Sequence, residues 1–316
     1  MRKLPHCDYP KAAETHLHGL QMLPAVLPLI NLAATAAYRS ANYKAVGIDS
    51  FTHQQVLELV SVIAKSFVKN EPMNRHMQPS KNSPAVIHEA KYLNEYGETK
   101  FGDWEKENIF FWLIRLLVFN QLKGDLDGMV THNHSKQLSM AIFNDKGNII
   151  GGALNIKLYS PETNPASDGE ELFFQAVTSY AKPVIQMLMS QEEASLTTLS
   201  NAYADFKEAY ESGKVGELFM IARSPLLPTE DTFELVAATM ERFKQLGYKY
   251  VATAAANQWT GAAFEAMGGV RVYFSPYRAT QQLKLSKEGL ADETSSSDGY
   301  LAAKDSGCMF YILRVA

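Results

Sequence analysis

One carboxylate early in the chain has a setting in which it could do chemistry. Glu71 stands directly before Pro72, at the end of a predicted helix that Thr52 begins. Proline restricts the backbone of the preceding residue and donates no amide hydrogen, so the helix ends here. A carboxylate held there could take a proton from an ammonium group, directly or through a water, and leave a nucleophilic amine. The same residues also fit a surface carboxylate beside a turn.

A second stretch, residues 216–267, predicts a strand, a helix and a strand, followed by another helix. The apolar run bounded by Gly216 and Pro225 is typical of a buried strand. Gly247 stands where a C-terminal glycine cap would end the first helix, and residues 250–255 form a second short apolar strand. A right-handed crossover would make the two strands parallel neighbours.

The helix between these strands has a predicted start and one apolar face. Thr229 is the predicted capping residue, and Glu234 stands three residues after Asp231 as in a capping box. Apolar residues then recur at spacings of four, three and three residues: Val236, Met240, Phe243 and Leu246. Asn257 opens the next helix, which a glycine pair at 268–269 closes.

This order of elements carries a resemblance to a known superfamily. The strand–helix–strand unit, then Asn257 with Phe264 seven residues on and Gly268 eleven residues on, resembles the second half of GNAT-superfamily acyltransferases. The resemblance implies an acyl thioester at the splayed end of the first strand, the coenzyme A pyrophosphate at the helix N-terminus, and pantetheine along the second helix. The residues it assigns to the acetyl-CoA co-substrate are Met220, Ile221, Ala222, Arg223, Thr229, Thr232, Phe233, Asn257 and Phe264.

A second match concerns the segment around Glu71. Residues 66–74, SFVKNEPMN, resemble the Glu-Pro segment of arylalkylamine (dopamine-type) N-acetyltransferases, in which the glutamate before the proline is the general base. The resemblance implies that role for Glu71, and burial would have to raise the pKa of its carboxyl group. Backbone amides near Ile221 and Arg223 would polarise the thioester carbonyl. Together the matches cover residues 46–80 and 137–280.

The chain departs from the family pattern at the pyrophosphate loop. Where members have arginine or glutamine followed by glycines, this chain has Pro228 and then TEDTF, without a glycine. A helix dipole favours an anion by about 0.3–1 kcal/mol. Two unit charges about 5 Å apart repel by roughly 3 kcal/mol at an effective dielectric near 20. Repulsion prevails if Glu230 or Asp231 faces the phosphates; if both turn outward, the amides still bind phosphate, but more weakly.

The expected general acid is also missing. Many family members have a tyrosine seven residues after the helix-opening asparagine, and this chain has Phe264 there, which has no proton to give. Tyr273, Tyr277 and Tyr311 are substitutes among which the sequence does not choose. Because a thiolate is a fair leaving group, loss of the acid need not abolish transfer.

The length, charge and cysteine content of the chain limit the classes of protein to which it can belong. The chain has 316 residues, 46% of them hydrophobic, and a formal net charge of −4 from 30 basic and 34 acidic residues. These charges are well mixed and give no footprint for nucleic acid or an anionic membrane. The two cysteines, Cys7 and Cys308, offer neither a disulfide framework nor a cysteine-based zinc site, so a reducing cytoplasm is the expected location.

The remaining segments are assigned by pattern. Residues 1–45 are predicted to be a helical extension, since Pro24, Pro28 and Asn31 interrupt the apolar run that a membrane span would need. Residues 46–316 form the acyltransferase-like domain, with helical insertions at about 78–136 and 160–213. The first insertion has an apolar helix over 106–121, whose predicted face includes Phe110, Leu113 and Leu117 and whose central Arg115 excludes a membrane span. We expect it to be additional core; a lid over the substrate or a partner interface is the alternative.

The remaining strands complete the predicted sheet. A pair of histidines raises the separate question of a metal site. Residues 144–148, NDKGN, predict a hairpin turn between two strands, the second passing through a Gly-Gly pair. Two more strands are predicted at 270–274 and 309–315. His132 and His134 have no third ligand nearby, so no metal site is predicted. The predicted fold class is α/β (α+β): a mixed central sheet with GNAT-like topology and helices on both faces.

Three functions remain open from the sequence. The first is transfer of an acyl group, expected to be acetyl, from a CoA thioester to a small primary amine by direct attack in a ternary complex. The second keeps acyl transfer but takes the donor from an acyl carrier protein or a long-chain acyl-CoA, which would account for the weak phosphate loop. The third is a non-catalytic binding protein on the same scaffold. A monomer and a homodimer are both compatible with the sequence.

Overall fold

The computed structural model describes residues 27, 29–31, 43–70, 109–122, 135–158, 188–228, 230–256, 258–276 and 307–316. Seven strands are described: β1 (Ala45–Gly47), β2 (Met140–Phe143), β3 (Ile149–Lys157), β4 (Val215–Arg223), β5 (Tyr250–Ala255), β6 (Val270–Pro276) and β7 (Gly307–Arg314). They form one sheet in the order β1-β2-β3-β4-β5-β7-β6. Neighbouring strands are antiparallel except β4 and β5, which are parallel. The predicted mixed sheet is confirmed.

The described helices lie on both faces of this sheet. They are α1 (His53–Asn70), α2 (Ile109–Leu122), α3 (Ser135–Leu138), α4 (residues 188–202), α5 (Ala204–Glu211), α6 (Phe233–Gln245) and α7 (Gln258–Ala266). Helices α1 and α2 pack on β3 and the second half of β4. Helices α4 and α5 cover the first half of β4 and the middle of β5 and β7. Helices α6 and α7 contact the opposite face.

Local sequence signals account for several boundaries. Thr52 and Gln55 form a capping box at the start of α1: the Gln55 N–H donates to Thr52 Oγ1 at 3.3 Å, and the Thr52 N–H donates to Gln55 Oε1 at 3.0 Å. At the β2–β3 turn, Asn144 Oδ1 accepts the N–H groups of Lys146 and Asn148 at 3.0 and 2.9 Å. Gly147 has a φ of 78°, which glycine adopts without strain. The predicted hairpin is confirmed.

The first insertion contributes core, but through a different helix face than predicted. The buried residues of α2 are Phe111, Trp112, Ile114, Arg115, Val118, Phe119 and Leu122, and they pack with α1. Leu117, on the predicted face, is only partly buried. The helix is apolar nearly all round, so its periodicity could not identify the docking face. Arg115 is fully buried, its Nε donates to Ser61 Oγ at 3.3 Å, and burial lowers its pKa to about 10.

The start of α6 also differs from its prediction. A 3₁₀ turn covers Glu230–Thr232, and the α-helix begins only at Phe233 without a side-chain cap. Glu234, the predicted partner of Asp231 in a capping box, is buried, and its Oε1 accepts the Ala45 N–H of β1 at 3.2 Å. One oxygen of this carboxylate therefore joins α6 to a strand 189 positions earlier in the chain.

Near the N-terminus, part of the predicted helical extension is extended instead. Leu29 forms a parallel bridge with Arg314, and the Ile30 and Asn31 N–H groups donate to Arg314 O and Met267 O. His132 and His134 lie outside the described residues, as do most of the two predicted insertions. No described helix is long and apolar enough to span a membrane. Among the residues that the structure describes, no three His, Cys, Asp or Glu side chains are grouped as metal ligands would be.

Candidate functional site

The sheet opens between its two parallel strands. β4 and β5 pair over only three rungs, the last joining Glu217 and Ala252, although β4 continues to Arg223 and β5 to Ala255. Immediately beyond this rung, Thr253 Oγ1 donates to Leu218 O at 2.9 Å, so a side-chain hydrogen bond takes the place of a backbone one. On its other edge β4 changes register against β3 between Leu154 and Asn155, and Phe219 is left without a partner. Beyond the bulge β4 and β5 are no longer paired, and the opening between their unpaired ends is called the cleft below.

The bulge decides which backbone groups face the cleft. The Ser224 N–H donates to Ile150 O on β3 at 2.8 Å. Because N–H directions alternate along a strand, the N–H groups of Ile221 and Arg223 point away from β3, towards the cleft. The side chains of Met220 and Ala222 lie on the α1 face, whereas Ile221 packs on the α6 face.

Helix α1 reaches the same cleft. Ser66, which is 9% exposed, accepts the Arg223 N–H through Oγ at 3.2 Å. The Arg223 guanidinium turns back over the following loop, where Nη1 donates to Leu227 O at 2.9 Å. The C-terminal turn of α1 therefore abuts the end of β4, and Asn70, the last helical residue, lies about 6 Å further along the helix axis than Ser66.

The arrangement of strands and helices in this chain is similar to that of solved structures. Arylalkylamine N-acetyltransferase 2 from Aedes aegypti superposes with a TM-score of 0.51 at 15% identity, covering 87% of this chain and 100% of that one. Drosophila melanogaster polyamine N-acetyltransferase gives a TM-score of 0.48 at 10% identity, with 87% and 100% covered. The chain has the GNAT acetyltransferase fold. No protein-family model and no curated protein matches its sequence.

Within the GNAT fold, the structure brings together part of the predicted cofactor set. Met220, Ile221, Ala222 and Arg223 form one side of the cleft. Thr232 and Phe233 lie at the start of α6, where Thr232 is buried and its Oγ1 donates to Pro228 O at 3.2 Å. Glu71, Thr229 and Asn257 lie outside the described residues, so their assigned roles stay predictions.

The start of α6 is crowded by aromatic rings. The Phe233 ring lies 4.5 Å from the Trp259 ring on α7, tilted by 34°. The Trp259 indole nitrogen is buried, and no hydrogen-bond partner for it is found among the described residues. Among the described residues at this helix start, the Thr232 side chain turns back on its own loop and Glu234 contacts β1, so neither of these two side chains is directed to a pyrophosphate.

The two aromatic candidates on α7 and β7 have structural contacts. Phe264 is fully buried and lies 6.2 Å from the Tyr311 ring. Tyr311 donates its hydroxyl hydrogen to Glu265 Oε1 at 2.7 Å, and burial together with this bond raises the pKa of Tyr311 above its ordinary value. This hydroxyl therefore fixes α7 to the sheet, which argues against Tyr311 as the general acid. Tyr277 lies outside the described residues.

Sequence reasoning missed a buried carboxyl group at the inner end of the cleft. Glu217 is 6% exposed and belongs to the last paired rung of β4 and β5. Burial raises the pKa of Glu217 well above its ordinary value, and the nearby Glu192 of α4 raises it further. The signal was present in the sequence as one acidic residue within the otherwise apolar strand run GELFMIA.

Ser66→Ala is expected to loosen the junction between α1 and β4. Loss of the hydrogen bond should lower the free energy of unfolding by about 1 kcal/mol and speed hydrogen exchange of the Arg223 amide, which amide-resolved exchange would measure. Lys65→Ala, at an exposed neighbouring position, is the control and should leave that exchange unchanged. Unaltered Arg223 exchange in Ser66→Ala would contradict the contact.

Glu217→Gln is expected to stabilise the protein increasingly as the pH rises. Because the pKa of Glu217 is higher in the folded than in the unfolded state, the wild type loses stability between its ordinary value of 4.5 and the folded pKa. The loss is about 1.4 kcal/mol per unit of pKa difference. Denaturation curves at about pH 5 and about pH 8 should show the larger gain at the higher pH. Glu193→Gln, exposed on α4, should show no such trend.

Proposed function

We propose that this protein transfers an acyl group, in the first instance acetyl, from a CoA thioester to a primary amine. The observation that carries the proposal is the bulged end of β4, which turns the Ile221 N–H into the cleft beside β5. A thioester laid along this edge would receive a hydrogen bond from Ile221 at its carbonyl oxygen, where negative charge develops during attack.

The proposed reaction is direct attack in a ternary complex. The ammonium form of the substrate gives one proton to a base, and the nitrogen of the resulting neutral amine bonds to the thioester carbonyl carbon. The carbon–sulfur bond breaks to release the thiolate, the nitrogen loses its second proton as the amide forms, and that proton reaches the thiolate through solvent. Glu71 is the proposed base. It directly follows α1, and the Ser66 contact holds the last turn of that helix against the cleft.

Thermal shift with acetyl-CoA, followed by a thiol-release assay across a panel of amines, tests the proposal. A ligand at 100 times its Kd stabilises the folded state by about 2.7 kcal/mol, which is a clear rise in Tm. We expect acetyl-CoA to raise Tm and thiol release to require an amine. Binding without amine-dependent release would favour the non-catalytic alternative.

A donor held mainly through its pantetheine arm is the second candidate. The start of α6 favours it, because the loop before it has no glycine, ends in a 3₁₀ turn and leads into a helix start where Phe233 packs on Trp259. S-acetyl-pantetheine, acetyl-CoA, a long-chain acyl-CoA and an acylated carrier protein should be compared as donors. If acetyl-CoA binds much more tightly than S-acetyl-pantetheine, the phosphates contribute and the carrier-protein alternative fails.

A further inference from the structure

Leu218 is the last residue of β4 before the bulge, and its carbonyl group receives a hydrogen bond from a side chain of the next strand. The Thr253 hydroxyl on β5 donates to Leu218 O at 2.9 Å, and both residues are 2% exposed. A buried carbonyl group needs a donor. The hydroxyl therefore satisfies the Leu218 carbonyl at the point where β4 and β5 part.

A regular ladder would use a backbone donor at this point. The Tyr250 N–H donates to Lys214 O at 3.3 Å, and between parallel strands this bond repeats every two residues along both strands. Four residues further on, the same series would place the Ala254 N–H on Leu218 O. The paired rungs end before that step, and Thr253 Oγ1 holds the carbonyl instead. The hydroxyl therefore competes with the bond that would lengthen the ladder.

The backbone of the two strands does not by itself prevent that bond. β5 pairs with β7 without a register shift as far as Ala255, so its backbone is regular beyond the last β4–β5 rung. Leu218 precedes the bulge, and β4 keeps its pairing with β3 on both sides of the bulge. Only beyond Leu218 does the bulge change the direction of the β4 groups. The side chain that takes the Leu218 carbonyl therefore decides whether the ladder gains a rung.

On its other side, Leu218 faces a strand that is held by a buried amide. Asn155 on β3 is opposite Leu218 and is fully buried. Its Nδ2 donates to Leu138 O at the end of α3 at 2.9 Å, and to Thr239 Oγ1 on α6 at 3.1 Å. These bonds fix β3 to two helices at the rung next to the bulge. An adjustment at Leu218 is therefore made towards β5, on the Thr253 side.

The parting point is close to the proposed reacting centre. The cleft is closed at the Glu217–Ala252 rung and opens towards the C-terminal ends of β4 and β5. The acyl group of a donor that enters from the open end would lie deepest. Paired strands are about 4.8 Å apart, so a chain lying between β4 and β5 needs about twice that separation. One more bonded rung would bring the closed end about 3 Å nearer to Ile221.

We propose that Thr253 is a positioning residue, whose hydroxyl keeps Leu218 O from the β5 backbone and so holds the cleft open at the Ile221 N–H. The inference rests on the proposed function, and it adds a residue that acts through Leu218 and touches no reacting atom. Branching at Cβ restricts the χ1 angle of threonine, which keeps the hydroxyl in a fixed direction. Because a misplacement of about 1 Å can slow a reaction by about 10²-fold, a small closure of the cleft has a large effect.

Thr253→Val tests this role, because valine keeps the shape of the side chain and removes the hydroxyl. With acetyl-CoA and 2-phenylethylamine, we expect kcat to fall by about ten- to hundredfold, whereas Thr253→Ser should keep most of the wild-type kcat. The Kd of coenzyme A, which has no acyl group, should be unchanged in both variants. Wild-type kcat in Thr253→Val, or an equal loss in Thr253→Ser, overturns the proposal.

A matched control removes the same kind of hydrogen bond away from the cleft. The Thr198 hydroxyl donates to Ala194 O at 2.8 Å within α4. Thr198→Val therefore also deprives a backbone carbonyl of a hydroxyl donor, and its kcat should equal that of the wild type. A loss in Thr198→Val as large as that in Thr253→Val would show a general effect of the substitution and would overturn the positioning role.

Amide-resolved hydrogen exchange separates this inference from the proposed function. In Thr253→Val the Ala254 N–H should take Leu218 O, so its exchange should become slower than in the wild type, with no change in Thr253→Ser. If no donor and amine give transfer but this slowing is seen, the proposed reaction fails and the role of the hydroxyl in holding the strands apart stands. If transfer occurs and Ala254 exchange in Thr253→Val equals that of the wild type, the reaction stands and the positioning role fails.

Discussion

Glu71→Gln is expected to lower kcat by about 10²- to 10⁴-fold, the range for removal of a general base. Glutamine keeps the size of the side chain but cannot take the proton from an ammonium substrate. The thiol-release assay at saturating amine measures the effect, and the loss should diminish at high pH, where the amine is deprotonated in solution. The acetyl-CoA thermal shift should remain, because the thioester edge on β4 is unaltered.

A matched control for this variant lies on the same helix. Glu58→Gln retains the acceptor that receives the Ile149 N–H at 3.0 Å, so α1 stays fixed to β3. Its turnover should stay within about twofold of the wild type, since uncharged replacements away from special sites have small effects. Equal turnover of Glu71→Gln and the wild type across the pH range would end the role given to Glu71.

Gly216→Ala is expected to have the largest effect on stability among single-methyl changes on β4. A Cβ at Gly216 would overlap the ring of Phe243, a fully buried residue on the face of α6 that packs on the sheet. Overpacking of this kind lowers the free energy of unfolding by about 1–3 kcal/mol, measurable by chemical denaturation. The shift should also disturb the β4–β5 rungs next to the cleft, because Gly216 pairs with Val251.

A double variant identifies the ring as the cause. Phe243→Leu removes Cε1 and Cζ, two of the three ring atoms that a Cβ at Gly216 would meet. The combined loss in Gly216→Ala/Phe243→Leu should therefore be smaller than the sum of the single losses by about 0.5–3 kcal/mol. Strictly additive losses would show that the alanine acts through the backbone instead.

Predictions from local sequence signals survived where both partners were near in the chain. The predicted helix start at Thr52 is confirmed by its hydrogen bonds with Gln55, three residues on, and the predicted turn spans residues 144–148. The order β4, α6, β5, α7 was likewise predictable, because each element buries one apolar face at its own period. These signals also made the GNAT fold predictable.

The site depends on contacts between residues far apart in the chain, and the sequence does not show which of these residues meet. Glu234 was expected to cap its own helix, and nothing in the sequence indicated that its Oε1 also accepts the Ala45 N–H, a buried group that needs a partner. Trp259 lies 26 residues from Phe233 and carried no signal that it would pack on the start of α6.

The sequence by itself determined the elements and which residues are apolar, acidic or able to end a helix, since those properties act over a turn or two of chain. Only the tertiary structure decided that β4 bulges and parts from β5, and that Ser66 meets Arg223 across 157 positions. It also decided that Glu217 is buried near Glu192, which raises the pKa of Glu217. The physical reason is that ladder registers and buried electrostatic partners are set by packing between distant segments.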